Sequence, residues 1–309
     1  MLVPVLLFAV GLVCLIKGGD WFVDGATGIA RRFRLPELLI GATVVSIGTT
    51  LPEVMVSTSA ALSGHGEIAY GNAIGSVICN TALIAALTAA IRPGKVDRAA
   101  LKTPVIWFFL SAAVYAAVAY TTGYFSRPVG FVLLALFAAY MISTVRQMMK
   151  NPSAADAEDD GAAKEQPLWK ELALLVVGAA LIAKALGVPE SVIALTFVAL
   201  GTSLPELVTA ITSLVKGHSA LSLGNVIGAN LFNLVLVSGA SVALSPFPVP
   251  QEATIAGHNA SLVMDFPVMF AVMLLLTVPA LARGKLARWQ GVTLLCIYAA
   301  FCAAQFVLF

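Results

Sequence analysis

Long apolar runs, interrupted by short clusters of glycine, proline and charge, make up almost the whole chain. Cutting at those clusters leaves apolar stretches near residues 3–30, 35–62, 67–91, 102–122 and 127–149, then near 167–187, 189–216, 219–245, 265–282 and 287–309. About 20 helical residues cross the hydrocarbon core of a bilayer, and each stretch reaches or nearly reaches that length. The pattern predicts an all-α polytopic membrane protein of about ten transmembrane helices. The first sixteen residues lack a basic leader and a small-residue cleavage site, so they read as the first span.

Composition agrees. Of 309 residues 60% are hydrophobic and 11% charged, and the mean hydropathy is +0.95, more apolar surface than a soluble core can hide. A net charge of +2 does not suggest a nucleic-acid binder or an enzyme for acidic substrates. The position of the charge says more. With ten spans, one set of loops holds Arg31, Arg32, Arg34, Arg92, Lys95, Arg98, Lys102, Arg146, Lys150, Lys164, Lys170, Lys216, Arg283, Lys285 and Arg288, fifteen of the eighteen basic residues. The opposite set has only Arg127 and Lys184, with Lys17 inside the first span. The positive-inside rule therefore places both termini outside the cytoplasm of a plasma or inner membrane. Trp107, Trp169 and Trp289 fall near the same ends, as interfacial anchors do. Residues 150–166, rich in alanine and acid, read as a disordered cytoplasmic linker between an N-terminal half, 1–149, and a C-terminal half, 167–309. Its cluster Asp156, Glu158, Asp159 and Asp160 lacks the glycine and terminal glutamate of an EF-hand loop and reads as solvated tail.

The two halves share a motif. Residues 41–83 align without a gap on 194–236 at a constant offset of 153, with 15 of 43 positions identical. Each half holds five spans, an odd number, so the copies should cross the membrane in opposite directions. Such inverted repeats place a site at their interface, near the midplane.

Both copies put a glycine, two hydroxyls, a proline and a glutamate inside an apolar span: GTTLPE at 48–53 and GTSLPE at 201–206. Proline removes a backbone N–H and crowds the preceding turn, which should free carbonyls around Ser46 and Ile47 and around Ala199 and Leu200. Carbonyls, hydroxyls and a carboxylate are hard oxygen ligands, suited to Ca2+ or Na+ rather than to Zn2+ or copper. A mid-membrane charge costs about 2.5–3.5 kcal/mol or more unless neutralised, and neither span offers a Lys or Arg there. A cation is the natural counter-charge; the plainer alternative is a pair of kinks with protonated, hydrogen-bonded glutamates. The third and eighth spans add Gly75, Ser76 and Asn80, and Gly228, Ala229 and Asn233. Gly71, Gly75, Gly224 and Gly228 suit close helix packing. Asn80 and Asn233 suit either direct ligation or orientation of Glu206 and Glu53.

These two segments resemble the alpha repeats of the cation/Ca2+ exchanger superfamily, specifically its prokaryotic sodium/calcium exchanger branch, and the resemblance covers nearly the whole chain. It implies a secondary antiporter rather than an enzyme, working by alternating access. Its substrates would be Ca2+ and Na+, with no cofactor and no protein partner. The implied ligands are the carbonyls of Ser46 and Ala199 together with Thr49, Thr50, Glu53, Ser76, Asn80, Thr202, Ser203, Glu206 and Asn233. This chain has Asn233 where the family often has Asp, Ala229 where it has Ser, and Thr50 where it has Ser. Two formal negatives remain, enough for one Ca2+, two Na+ or two protons, so Ca2+/H+ exchange stands beside Ca2+/Na+ exchange. The sixth span is also short. Val10 and Gly11 match Val177 and Gly178 at an offset of 167, whereas Ile29 and Ala30 match Ile182 and Ala183 at 153, so about 14 residues, or four helical turns, are missing. In the family the first and sixth helices are long and gate access, which keeps a non-transporting scaffold as a third reading.

Asp20 and Asp24, four apart on the first span, read as part of a polar network with Lys17 and Arg31, or else as a cation vestibule. Asp265, before Phe266 and Pro267, reads as the N-cap of the ninth span. His65, His218 and His258 fall in loops, which argues against an intramembrane serine hydrolase or zinc protease. Cys14, Cys79, Cys296 and Cys302 read as small core residues.

Overall fold

The computed structural model of the chain describes residues 17, 20–29, 32–33, 35–150, 202–251 and 254–308. Nine helices carry this part of the chain: α1 (20–29), α2 (Glu37–Leu62), α3 (Gly66–Ile91), α4 (Arg98–Thr122), α5 (Arg127–Met149), α6 (Leu204–Val215), α7 (Ser219–Leu244), α8 (Ser261–Arg283) and α9 (Arg288–Leu308). Among the described residues six of them (α2, α3, α4, α5, α7 and α8) are long and apolar enough to cross a bilayer. The molecule is an all-helical membrane protein. The linker, the sixth span expected to be short, the first part of the seventh span and Ala199 fall within residues 151–201, outside the described residues.

Helix ends follow local chemistry. Pro36 sets the extended residue before α2, and Asp97 caps α4 by accepting the N–H groups of Ala99 and Ala100. Gly123 and Gly284 close α4 and α8 in the left-handed region, at φ 62° and 65°, where a side chain would be strained. α8 begins earlier than the sequence implies. Asn259, not Asp265, accepts the Ser261 N–H, and a π-helical turn over Ser261–Asp265 carries Asp265 into the helix, where Gln305 donates to it at 3.1 Å. Cys79 is buried as expected, but Cys296 is exposed on the outer face of α9, so the core reading fails there.

Among the described residues six short strands tie the loops together: β1 (Gly94–Lys95), β2 (Tyr124–Phe125), β3 (Phe247–Pro248), β4 (Thr254–Ile255), β5 (His258–Asn259) and β6 (Lys285–Leu286). β1 pairs with β6, β2 with β3, and β4 with β5, all antiparallel. The first pair joins two loops of the basic set and the second joins two loops of the opposite set. At the basic end Arg92 also donates to the Leu214 carbonyl, Arg288 to that of Ala90, and His218 meets Glu37 at 2.8 Å. The charge pattern along the chain thus corresponds to two ends of one bundle.

α7 is the central helix. Its most apolar stretch is 83% buried, against 22% for α5, which presents most of its surface outward. α7 crosses α2 with backbones in contact. A Cβ at Gly224 would stand 2.0 Å from the Leu38 carbonyl oxygen, and one at Gly228 would stand 2.3 Å from Ser46 Oγ and 2.6 Å from Ala42 Cα. The packing role expected of Gly224 and Gly228 is what the structure shows, and it brings the GTTLPE helix against the asparagines of the other half. α1 lies on the same face, its Phe22 ring filling the space at Gly48, where a Cβ would be 2.5 Å from the ring. Lys216, just past α6, holds α1 by reaching Asp20 at 2.9 Å and Asp24 at 2.7 Å. Asp20 and Asp24 therefore form the structural network expected of them, with Lys216 as its main cation and Lys17 at 3.9 Å as a weaker one.

Candidate ion-binding site

Three of the helices that meet at the centre widen there into π-helical turns: Gly41–Val45 in α2, Asn80–Ala85 in α3 and Asn233–Val237 in α7. A π turn shifts the backbone pairing by one residue and re-aims side chains, which is why such turns collect at functional sites. Two of them start on the paired asparagines, Asn80 and Asn233. The serine after two of the turns returns to a carbonyl five residues back: Ser46 Oγ to Gly41 at 2.8 Å and Ser238 Oγ to Asn233 at 3.1 Å. Tyr140 of α5 donates to the Ala42 carbonyl at 2.8 Å.

Pro52 sits within α2 without breaking it, and Pro205 stands in the first turn of α6. One turn of GTxLPE therefore begins a helix and the other lies inside one. Glu53 and Glu206 are both fully buried, at 0% exposure, and each is an electrostatic neighbour of hydroxyls from the opposite half or of the other acid. Thr202 lies beside Glu53, as does Glu206 itself, and Thr49 and Thr50 lie beside Glu206. None of the ion pairs among the described residues involves either glutamate.

The predicted donors among the described residues are buried. Thr49, Thr50, Ser76, Asn80, Ser203 and Asn233 are buried, and so is Thr202. Thr50 Oγ1, Ser76 Oγ, Ser203 Oγ, both oxygens of Glu53 and Glu206, and both amide atoms of Asn80 and Asn233 have no conventional hydrogen-bond partner. Thirteen described residues carry a buried polar atom without a partner, and seven of them belong to the predicted ligand set, a concentration that calls for a common explanation. Their chemistry supplies it: every one offers a neutral or anionic oxygen, and no group of three His, Cys, Asp or Glu suited to a softer metal occurs among the described residues. Ser46 behaves differently. Its hydroxyl is committed to Gly41 and to the Asn225 main-chain oxygen at 2.9 Å, which leaves its carbonyl, 3.5 Å from Thr49 Oγ1, as the predicted ligand atom.

Two residues escaped assignment from sequence. Asn225 accepts from Thr49 at 3.2 Å while its amide donates to Thr209 at 3.0 Å. Asn72 accepts from Thr202 at 3.0 Å while its amide donates to Ser57 at 2.8 Å. Each asparagine thus fixes a threonine of the opposite GTxLPE turn. The shared GN pair of the repeats contained the signal, but nothing in the chain order says which helix each asparagine faces.

Buried carboxylates among neutral oxygen donors, inside an all-helical membrane protein, describe a membrane cation transporter. The sodium/calcium exchanger protein family matches residues 3–146 and 170–307. The sodium/calcium exchanger MaX1 of Methanosarcina acetivorans is 30% identical, with 97% of this chain and 98% of that one covered. Inner membrane protein YrbG of Escherichia coli is 34% identical, with 92% of each covered. The structure of the sodium-calcium exchanger NCX_Mj soaked with Na+ and Sr2+ superposes with a TM-score of 0.81 at 32% identity, covering 98% of both chains. The chain belongs to the sodium/calcium exchanger family, whose members move cations by exchange, and it is a transporter by class rather than an enzyme.

Proposed function

We propose that this chain exchanges Ca2+ for Na+ across the plasma membrane by alternating access, with Glu53 and Glu206 as the charged ligands of the Ca2+ ion. The observation that carries the reading is the pair of fully buried glutamates that lie next to each other, with the hydroxyl of Thr202 beside Glu53 and those of Thr49 and Thr50 beside Glu206. Two carboxylates balance one divalent charge, and the surrounding carbonyl, hydroxyl and amide oxygens complete the six to eight ligands that Ca2+ takes. The relatives named as sodium/calcium exchangers support the same pairing of ions. Reciprocal contacts between the halves, Thr49 to Asn225 and Thr202 to Asn72, support ten spans in two inverted five-span repeats with the site on the axis between them. The basic end faces the cytoplasm in this reading, and both termini face away from it.

The test is radiolabelled Ca2+ uptake into proteoliposomes loaded with Na+. Rapid uptake that collapses in Glu53→Gln and in Glu206→Gln is the expected result, and uptake by either variant at the wild-type rate would refute the ligand assignment. Ca2+/H+ exchange is the second reading, favoured by Asn233, which removes a third acid from the cluster.

A further inference from the structure

We propose that the cleft where β1 overlies the start of α7 binds a phosphate group, carried by an anionic phospholipid headgroup at the basic end of the bundle. Arg92, Lys95, Ser219 and Ser222 line it on the polar side, and Leu38, Leu214 and Leu286 on the apolar side. Ser219 and Ala220, the first residues of α7, line this cleft, and His218, the residue before the helix, contributes no side-chain cap to the amides there. Uncapped amides at the start of a long helix, with its dipole, favour an anion.

The independent observation is Ser222. Its side chain is 2% exposed, it lines the cleft, and its Oγ has no hydrogen-bond partner. A phosphate oxygen at that spot would accept from Ser222 and from the helix amides together. Gly94 passes over the site, where a Cβ would meet nothing nearer than Ser219 Oγ at 3.8 Å, so the strand leaves room beside it.

The surrounding charge is unbalanced in the same sense. Lys95 stands directly opposite Lys285 in the β1–β6 pair, a juxtaposition of like charges that disfavours the pairing unless an anion lies between or beside them. Neither lysine takes part in an ion pair among the described residues, nor do Arg92 and Arg98. The nearby acids are used elsewhere: Glu37 by His218 at 2.8 Å, and Asp97 by the amides of Ala99 and Ala100. The ligand is a lipid because half of the lining is apolar and the cleft lies where spans end, at headgroup depth. Anionic lipids enrich the leaflet to which basic residues face.

The full-length protein in phosphatidylcholine nanodiscs is titrated with phosphatidylglycerol or with inorganic phosphate, and its thermal midpoint is followed. Phosphatidylglycerol should raise the midpoint saturably. Ser222→Ala should weaken its apparent affinity about tenfold, the worth of a hydrogen bond to a charged group. Lys95→Gln with Lys285→Gln should weaken it at least as much, and Arg127→Gln at the opposite end should leave it unchanged. If the paired lysine variant fails to fold, Ser222→Ala alone still decides, since it deletes one oxygen. Equal affinity in wild type and Ser222→Ala would overturn the site, as would an equal loss in Arg127→Gln. An equal response to inorganic phosphate would overturn the lipid as its source. A response that appears only after Asp156, Glu158, Asp159 and Asp160 are neutralised would give the cleft to the chain's own acidic segment instead.

Discussion

The hydroxyl of Thr49 and the side-chain oxygen of Asn225 lie 3.2 Å apart, and this bond joins the GTTLPE turn of one half to the central helix of the other. Asn225 also receives Ser46 and restrains Thr209. Asn225→Ala would remove the oxygen that accepts from Thr49 and the amide that donates to Thr209, while Ser46 keeps Gly41 and the main-chain oxygen of residue 225. The expected cost is about 1–3 kcal/mol of stability, with a weaker apparent affinity for Ca2+. Thermal unfolding together with uptake at varied Ca2+ checks both, and unchanged values in each would remove Asn225 from the support of the site.

The glutamate variants carry a quantitative expectation. Removing one of two charges leaves a divalent ion half-neutralised in a poorly solvated centre, so apparent Ca2+ affinity should fall about a hundredfold or more in Glu53→Gln and Glu206→Gln alike. A large asymmetry between the two would mean that one acid serves the coupling ion alone.

Close crossing of α2 and α7 makes Gly224 intolerant of any side chain. The clash of Gly224→Ala is with a backbone carbonyl at 2.0 Å, which cannot rotate away, so the two helices must separate. Overpacking of this kind costs about 1–3 kcal/mol, and here it would also move Asn225, the next residue. A lower unfolding midpoint and slower exchange should appear together. A stable variant with normal transport would contradict the crossing.

Much of this was legible in the chain. Six of the expected spans, α2, α3, α4, α5, α7 and α8, appear among the described residues where the apolar runs put them, because lipid tolerates little else, and the loop pairings of β1 with β6 and β2 with β3 agree with the charge count. Duplicated motifs exposed Glu53, Glu206, Asn80 and Asn233 because a buried polar residue in an apolar span needs a reason. What did not show was anything set by tertiary contact. The π turns of α2, α3 and α7 have no spacing signature, Asn72 and Asn225 acquire roles only through the opposite half, and Lys216 finds Asp20 and Asp24 nearly 200 residues away. Asp265 misled because Asp-Phe-Pro looks like a helix start, whereas Asn259 begins the helix earlier.

Lys216 fastens α1 to the loop between α6 and α7. Burial alone would lower its pKa, but the hydrogen bonds it donates to Asp24 and Asp20 outweigh that and raise it above the ordinary lysine value. A raised basic pKa means stability that is present below the unfolded-state pKa and lost as pH rises through the folded one, so this contact should persist across neutral pH and fail only in strong alkali. The residues are partly exposed, which limits the coupling of Lys216→Gln with Asp24→Asn in a double-mutant cycle to about 0.5–1 kcal/mol. Zero coupling would show that α1 is held by Phe22 against Gly48 and not by the ion pairs.

The coupling ion follows from the balance between acids and hydroxyls in the central cluster. Protons need only Glu53 and Glu206, and they gain nothing from Thr49, Thr50, Thr202 and Ser203. Na+ is a hard cation that uses such oxygens, and four buried hydroxyls, three of them beside one of the two acids, make Na+ the better match. Asn233 still contributes an oxygen where an acid would add charge, so the number of Na+ ions per Ca2+ should be smaller than a three-acid site would support. Liposomes loaded with Na+ should therefore take up Ca2+, and liposomes loaded with choline at matched pH should not. Asn233→Asp should raise the steepness of the Na+ dependence. Equal uptake in choline, driven by an acidic interior, would replace Na+ with H+ and would make the hydroxyls ligands of Ca2+ alone.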